Sequence, residues 1–314
     1  MYTVLVSSIS KENVLPYMAV NASRQAKQPS DTRDRSFRSS NDGVTSVNHT
    51  NGHENSTLDR SYHKVTSLKI THNALDESLQ PFKTAVTEQY FDIYQEILAS
   101  FSEAMTNASL IFFLYSGSLM GSWRHHSIVP WDDDVDVAIW DQEKELVLQA
   151  LNRLHPNFSL DVSTHSRWKF YSARSTAIDR VSWKWPFLDI SFYQENSTHV
   201  WDCDPSYKSF IFPRDDIFPL YDRPFMDMML PAPRNTKTVL GLTYILKDCT
   251  TGWYDHRHEV AKVEKQVAVP CEDLHHVFPF VNRQALGGGQ NGCNESLTLN
   301  GTVLSWVVLD SSQC

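Results

Sequence analysis

Basic residues are scarce in this chain, in which 28 Lys and Arg stand against 37 Asp and Glu, for a net charge of −9. This balance lacks the positive field with which nucleic-acid-binding proteins attract phosphates, so nucleic acid is not an expected partner. Long apolar runs are lacking too, and none approaches the ~20 residues of a membrane-spanning helix. Residues 1–20 start apolar but are broken by polar residues, which makes a poor signal peptide.

Cysteine is absent from the first 202 residues, and the later cysteines are widely spaced. They are Cys203, Cys249, Cys271, Cys293 and Cys314. Because no CxxC pair occurs, the sequence gives little support for a zinc site. In an oxidising lumen we expect one or two disulfides and at least one leftover thiol, and the spacing does not decide which cysteines pair.

Acceptor sequences for N-glycosylation, by contrast, are abundant. The Asn-x-Ser/Thr motifs begin at Asn21, Asn48, Asn55, Asn107, Asn157, Asn196, Asn294 and Asn300. Unless these motifs are accidents of composition, they favour the secretory-pathway lumen, in the Golgi or endoplasmic reticulum. Because a leader is not evident, we expect a lost N-terminal segment through which the protein would associate with a membrane.

Composition divides the chain into three parts. Residues 1–65 are rich in Ser, Asn, Arg and Asp and are predicted to form a disordered stem or linker. Residues 66–260 carry the periodic apolar pattern of a folded domain, and residues 261–314 are predicted to be an irregular C-terminal extension. Within the domain, apolar residues three and four apart predict a helix over residues 81–106, with Pro81 in its first turn.

Residues 115–140, YSGSLMGSWRHHSIVPWDDDVDVAIW, are the most informative stretch. In a strand, side chains at i and i+2 share a face about 7 Å apart, so Asp134 and Asp136 are predicted to lie side by side. Two adjacent carboxylates repel each other, and a divalent cation between them removes the repulsion. The break at Gly117-Ser118, between a strand and a helix, would offer backbone N–H groups to an anion.

A further carboxylate lies in the apolar stretch WPFLDISFY, residues 185–193. Asp189 is costly inside such a strand unless it is paired or bound to a cation. It is predicted to be a third metal ligand or a catalytic base, and the alternative is an ion pair with a residue such as Lys184.

These motifs resemble the LicD-type phosphocholine transferase family, which includes fukutin and the fukutin-related protein. The resemblance rests on GSLMGSWRHHSIVPWDDDVDVAI together with the apolar strand around Asp189. It implies an α+β nucleotidyltransferase fold, with a mixed β-sheet flanked by helices. It also implies Mg²⁺ or Mn²⁺ on Asp134, Asp136 and Asp189, and a donor phosphate on Gly117 and Ser118.

The activity implied by the resemblance is transfer of a phospho-alcohol, such as phosphocholine or phosphoribitol. The donor would be CDP-activated, and the acceptor would be a glycan on a glycoprotein or glycolipid. Two alternatives stay open: a glycosyltransferase that uses Asp-x-Asp to bind a nucleotide sugar, and a catalytically inert glycan-binding member of the same fold.

Several polar residues near the motif have two interpretations. Arg124 is predicted to bind the donor phosphate, or else to pair with Asp132 or Asp133. His125 and His126 are predicted to be exposed loop residues rather than donors to a phosphate. Lys169 is predicted to be a solvated strand residue rather than a phosphate ligand, and residues 255–258, DHRH, a polar loop rather than a metal site.

Overall fold

The computed structural model describes residues 62–64, 77–207 and 209–314, so most of the predicted stem, residues 1–65, lies outside the described residues. The described residues form one compact unit. The α-helices are α1 (Glu88–Asn107), α2 (Ser116–His125), α3 (Lys144–Asn152), α4 (Arg214–Ile217) and α5 (Thr236–Thr243). Among the described residues, no helix combines the length and apolar character that crossing a membrane requires.

The strands fall into a first group that ends before residue 214 and a second group that follows. The first are β1 (His63–Lys64), β2 (Phe112–Leu114), β3 (Val135–Trp140), β4 (Phe158–Asp161), β5 (Arg167–Ala177), β6 (Lys184–Glu195), β7 (His199–Asp202) and β8 (Ile211–Pro213). The second are β9 (Tyr221–Phe225), β10 (Met228–Ala232), β11 (Asp248–Thr250), β12 (Tyr254–Asp255), β13 (Val260–Ala261), β14 (Ala268–Pro270), β15 (Phe280–Ala285), β16 (Cys293–Leu299) and β17 (Thr302–Leu309).

The central sheet is mixed, as the family resemblance implied. Its strands run in the order β2-β3-β6-β5-β4, with β7 beside the end of β6 and β8 beside β7. Strands β3 and β6 are parallel, and the other pairs in the sheet are antiparallel. The apolar character of β6, which is buried almost from end to end, suits this central position between β3 and β5.

Helix α1 packs on this sheet through one apolar face. The buried residues of the helix are Ile93, Tyr94, Ile97, Leu98, Phe101 and Met105, at the spacing of three and four that the sequence shows. Its start was predicted wrongly, because Pro81 lies in a 3₁₀ turn (Glu77–Phe82) and the helix begins at Glu88. Between the 3₁₀ turn and α1, the chain makes a tertiary contact instead of a helical bond, because the Ala85 N–H donates to the Pro130 carbonyl.

The predicted irregular extension, residues 261–314, instead contains regular strands. β15, β16 and β17 form an antiparallel sheet with β1 at its edge. The reason is alternation: Cys293 and Glu295 on β16 are buried, and so are Ser305, Val307 and Leu309 on β17. The disulfides, which spacing left open, join Cys249 to Cys271 and Cys293 to Cys314, and Cys203 is free.

Candidate active site

Three carboxylates meet where β3 and β6 run side by side. Asp136 on β3 is in register with Asp189 on β6, and Asp134 lies just before β3. Each residue offers an oxygen, and these oxygens lie within 4.8 Å of one another. Alternation explains the arrangement, because Val135 and Val137 point into the core and leave the aspartates on the opposite face.

Asp189 has a basic neighbour that the sequence did not indicate. The Lys169 Nζ lies 3.1 Å from Asp189 Oδ2 and 3.2 Å from Glu259 Oε1, and it sits 3.9 Å from the centre of the Phe187 ring. Lys169 is therefore buried, and the prediction of a solvated strand residue was wrong. Lys184, the predicted partner of Asp189, instead reaches the Ala173 carbonyl.

The other oxygen of Asp189 is the informative atom. Asp189 is 7% exposed, and its Oδ1 has no hydrogen-bond partner among the described residues. A buried carboxylate oxygen without a protein partner is costly, so this atom is suited to binding a cation.

The carboxylates strongly perturb one another. Burial, and then the charges of Asp133 and Asp189, raise the pKa of Asp134 to about 8. Burial, followed by Asp134 and Asp189, raises the pKa of Asp136 well above its ordinary value. Only part of this negative charge is matched by Lys169, which is the condition in which a cation binds favourably.

Asp132 and Asp133 have different surroundings. Asp133 is structural: its carbonyl accepts from Tyr94 Oη (2.7 Å) and Trp185 Nε1 (2.8 Å), and its Oδ2 accepts from the Arg257 N–H. Asp132 instead lies beside Asp134 and His256, and these three also offer ligand atoms within 4.8 Å of one another.

The turn at the start of α2 lies against this acidic cluster. A Cβ on Gly117 would lie 2.8 Å from Asp132 Oδ2, so a larger residue there would require the Asp132 carboxylate to shift. Ser118 Oγ accepts from the Asp136 N–H at 2.7 Å, which ties the helix to β3. The hydroxyls of Ser116 and Tyr244 lie 3.1 Å apart and hold the turn from its other side.

Arg124 does not pair with Asp132 or Asp133, the predicted alternative to a phosphate, but holds backbone carbonyls. Its Nη2 donates to the carbonyls of Ile245, Leu246 and Asp248, at distances of 3.3, 2.8 and 2.9 Å. Burial lowers its pKa to about 10. These contacts make Arg124 a structural anchor for the segment after α5, and they give the phosphate role no support.

A second arginine, which the sequence did not indicate, acts on the carboxylates through its charge. Arg167 at the start of β5 forms a bidentate pair with Asp202 at 3.1 and 2.9 Å, and it stacks on the Tyr207 ring at 4.6 Å. The positive charge of Arg167 opposes the rise in the pKa of Asp136. Nothing in the local sequence distinguishes Arg167 from an ordinary strand residue.

The residues present fit a divalent cation. Three carboxylates supply the oxygen donors that Mg²⁺ and Mn²⁺ prefer, and the unpartnered Asp189 Oδ1 is a free donor atom. Asp132, Asp136, Gly117 and His256 are only half-buried, which leaves this edge of the site open to solvent.

Comparison with known proteins identifies the same region. Residues 109–235 match the family model described as LicD/FKTN/FKRP, nucleotidyltransferase domain. The chain is 26% identical over 158 residues to mouse ribitol 5-phosphate transferase FKRP, a match that covers 44% of this chain and 28% of the relative. It is 27% identical over 106 residues to Haemophilus influenzae lipopolysaccharide cholinephosphotransferase LicD, covering 31% and 40%.

The other matches are similar in extent. Human ribitol-5-phosphate transferase FKTN is 24% identical over 157 residues, covering 48% of this chain and 32% of the relative. The chain thus spans only 28% to 40% of the length of these curated relatives. A solved structure, terminal uridylyl transferase 4 from Trypanosoma brucei with bound GTP, overlaps 38% of this chain and 35% of its own, with a TM-score of 0.26 and 8% identity.

Proposed function

Because residues 109–235 form a domain of the LicD/FKTN/FKRP family, we propose that this chain transfers a phospho-alcohol from a CDP-activated donor to a glycan hydroxyl, with a divalent cation. The observation that supports this most is the register of Asp136 with Asp189, which brings carboxylates from two strands together beside Asp134. The relatives' names, ribitol-phosphate and choline-phosphate transferases, favour a phospho-alcohol as the transferred group.

In this proposal Asp134, Asp136 and Asp189 hold the cation. The cation would supply positive charge against the oxygens of the donor phosphates. Asp189 acts as a ligand rather than a base, because Oδ2 is bound to Lys169 while Oδ1 is free. Lys169 orients this carboxylate through its bond to Oδ2.

The start of α2 would bind the donor phosphate through its backbone. The first N–H groups of a helix have no partner within the helix, and the helix dipole favours an anion there. The Ser118 hydroxyl acts indirectly, because its bond to the Asp136 N–H sets the distance between this turn and the carboxylates. Gly117 contributes by having no side chain where the turn approaches Asp132.

Two kinds of observation support a place in the secretory-pathway lumen. The Cys249–Cys271 and Cys293–Cys314 disulfides are typical of an oxidising compartment. Among the acceptor asparagines that the structure describes, Asn107, Asn157, Asn196 and Asn300 are exposed. Glycosidase treatment of protein expressed in animal cells should therefore lower its apparent mass, and an unchanged mass would contradict a lumenal location.

The activity is tested by a donor screen with purified protein. CDP-choline, CDP-ribitol and CDP-glycerol are compared with UDP- and GDP-sugars, in the presence of Mg²⁺ or Mn²⁺ and a glycan acceptor, and CMP release and product mass are measured. We expect transfer from a CDP-alcohol only. Transfer from a nucleotide sugar instead would favour the glycosyltransferase alternative.

The variant that tests the carboxylates in the same assay is Asp134→Asn with Asp136→Asn. It should lower transfer at least ~10³-fold, the size expected when several kcal/mol of electrostatic stabilisation are lost. The control is Asp215→Asn with Asp222→Asn, which makes the same charge change at two exposed positions and should leave the rate unchanged. Full transfer by the first variant would remove the proposal.

A further inference from the structure

A loop closed by a disulfide reaches the carboxylates from outside the region that matches the family. The Cys249–Cys271 bond closes this loop, which contains β12 and β13. The loop contacts the site at three points. His256 Nδ1 lies 3.2 Å from Asp134 Oδ2, the Arg257 N–H donates to Asp133 Oδ2, and Glu259 pairs with Lys169.

The loop is held firmly enough to give His256 a definite position. The Arg257 guanidinium stacks on the rings of Trp185 (4.7 Å) and Tyr90 (5.1 Å). Residues 254–255 and 260–261 pair as a small antiparallel hairpin around the contact points. At the base of the loop, Arg124 holds the carbonyls that precede Cys249.

His256 joins a donor set that overlaps the strand-borne one. Asp132, Asp134 and His256 offer ligand atoms within 4.8 Å of one another, and Asp134 belongs to both groups. The unpartnered Oδ1 of Asp189, a member of the other group that contains Asp134, is independent evidence that the cluster as a whole accepts a ligand. In addition, the His256 imidazole has two carboxylates beside it, those of Asp132 and Asp134, whereas an isolated ion pair has one.

We propose that His256 is a nitrogen ligand to a cation in this site, and that it makes the site prefer Mn²⁺ to Mg²⁺. As a transition-metal ion, Mn²⁺ accepts an imidazole nitrogen more readily than Mg²⁺, which favours oxygen donors and retains its water. This inference rests on the proposed function only in using the same cation site. It assigns a role to a loop that the family match does not include.

The competing interpretation, a simple ion pair between His256 and Asp134, makes the opposite prediction. If His256 only supplied positive charge, removing it would strengthen the binding of both cations, because a competitor for Asp134 would be gone. If His256 is a ligand, removing it weakens Mn²⁺ binding and changes Mg²⁺ binding little.

The test measures cation binding by the full chain, without transfer. Mn²⁺ and Mg²⁺ affinities are determined by calorimetry for the wild type, His256→Ala and the control His258→Ala. His258 is in the same loop, but it is exposed and pairs with Asp255. We expect His256→Ala to weaken Mn²⁺ binding about tenfold or more, because the loss of a residue that only orients a metal ligand already has an effect of about this size. His258→Ala should match the wild type.

A spectroscopic measurement on the wild type gives a direct answer even if a variant is damaged. Electron spin-echo modulation of bound Mn²⁺ should show a ¹⁴N imidazole signal that is kept in His258→Ala and lost in His256→Ala. Mn²⁺ binding without that signal overturns the role of His256 and leaves the proposed function standing. If the wild type binds neither cation at millimolar concentration, both proposals fail.

Discussion

Two buried clusters of charge in this molecule differ in what surrounds their carboxylates. In the first, Glu295 on β16 is fully buried and receives Arg223 Nη2 at 2.8 Å on both oxygens. Arg283 Nε donates to Oε1 at 2.7 Å, and His126 Nε2 lies 3.1 Å from Oε2. Although burial opposes it, these partners hold the pKa of Glu295 at about 2.

In the second cluster, acids outnumber bases. Lys169 pairs with Asp189 and also with Glu259, and His256 lies beside Asp134. Burial and mutual repulsion here raise the pKa of Asp134 to about 8, in the opposite direction to that of Glu295. Removing the carboxylate from among buried cationic partners is costly, whereas carboxylates that face mainly one another are suited to binding a cation.

The largest expected effect on stability comes from removing one charge from each cluster. Glu295→Gln leaves Arg223 buried without its counter-ion and should lower the free energy of unfolding by about 3–5 kcal/mol. Asp136→Asn removes a repelled charge and should cause no loss in cation-free buffer. Urea unfolding at pH 7 measures both, with exposed Asp222→Asn as the control. Equal losses in both variants would mean that the clusters do not differ as described.

The pH dependence of stability should have opposite signs in the two clusters. Glu295 has a folded pKa of about 2, below its ordinary 4.5, so its contribution is complete above pH 4.5 and is lost as pH falls towards 2. That loss is about 3 kcal/mol, at 1.36 kcal/mol per pKa unit. Asp134 has a raised pKa of about 8, so without a cation stability should fall as pH rises from about 4 to 8.

Unfolding curves across pH, recorded in a chelator, separate these two contributions. Glu295→Gln should flatten the acid limb only, and Asp134→Asn should flatten the limb between pH 4 and 8 only. Adding millimolar Mn²⁺ to the wild type should also flatten the second limb, because the cation takes over the role of the proton. A second limb that persists in Asp134→Asn would show that other groups cause it.

Local sequence predicted one half of the candidate site and missed the other half for a physical reason. Asp134, Asp136 and Asp189 follow from strand periodicity and from the cost of an acid in an apolar strand, both of which act over a few residues. His256 and Glu259 reach the site through a loop about 120 residues from Asp134, and no local pattern encodes that contact.

The wrong predictions for the end of α2 have the same cause, because local sequence does not show which distant segments will cover it. Arg124, His125 and His126 have the composition of an exposed helix end, yet all three are buried. They are covered by later parts of the chain: the carbonyls of residues 245–248, the Pro279 carbonyl and the sheet that carries Glu295. A single sequence predicts the helix but not what packs against its end.

The smallest expected difference concerns the disulfides, one of which accompanies each cluster. Cys249–Cys271 closes the loop that carries His256, and Cys293–Cys314 lies beside Glu295 and beside Gln313, whose carbonyl accepts from Arg223. The two bonds span 22 and 21 residues, so replacing either pair by serine should lower the free energy of unfolding by a similar amount, about 3 kcal/mol.

Only the replacement of Cys249 and Cys271 should weaken Mn²⁺ binding. The effect should be only several-fold, because Arg257 still holds the loop. Equal Mn²⁺ affinity in the two double variants would show that the loop keeps His256 in place without its disulfide.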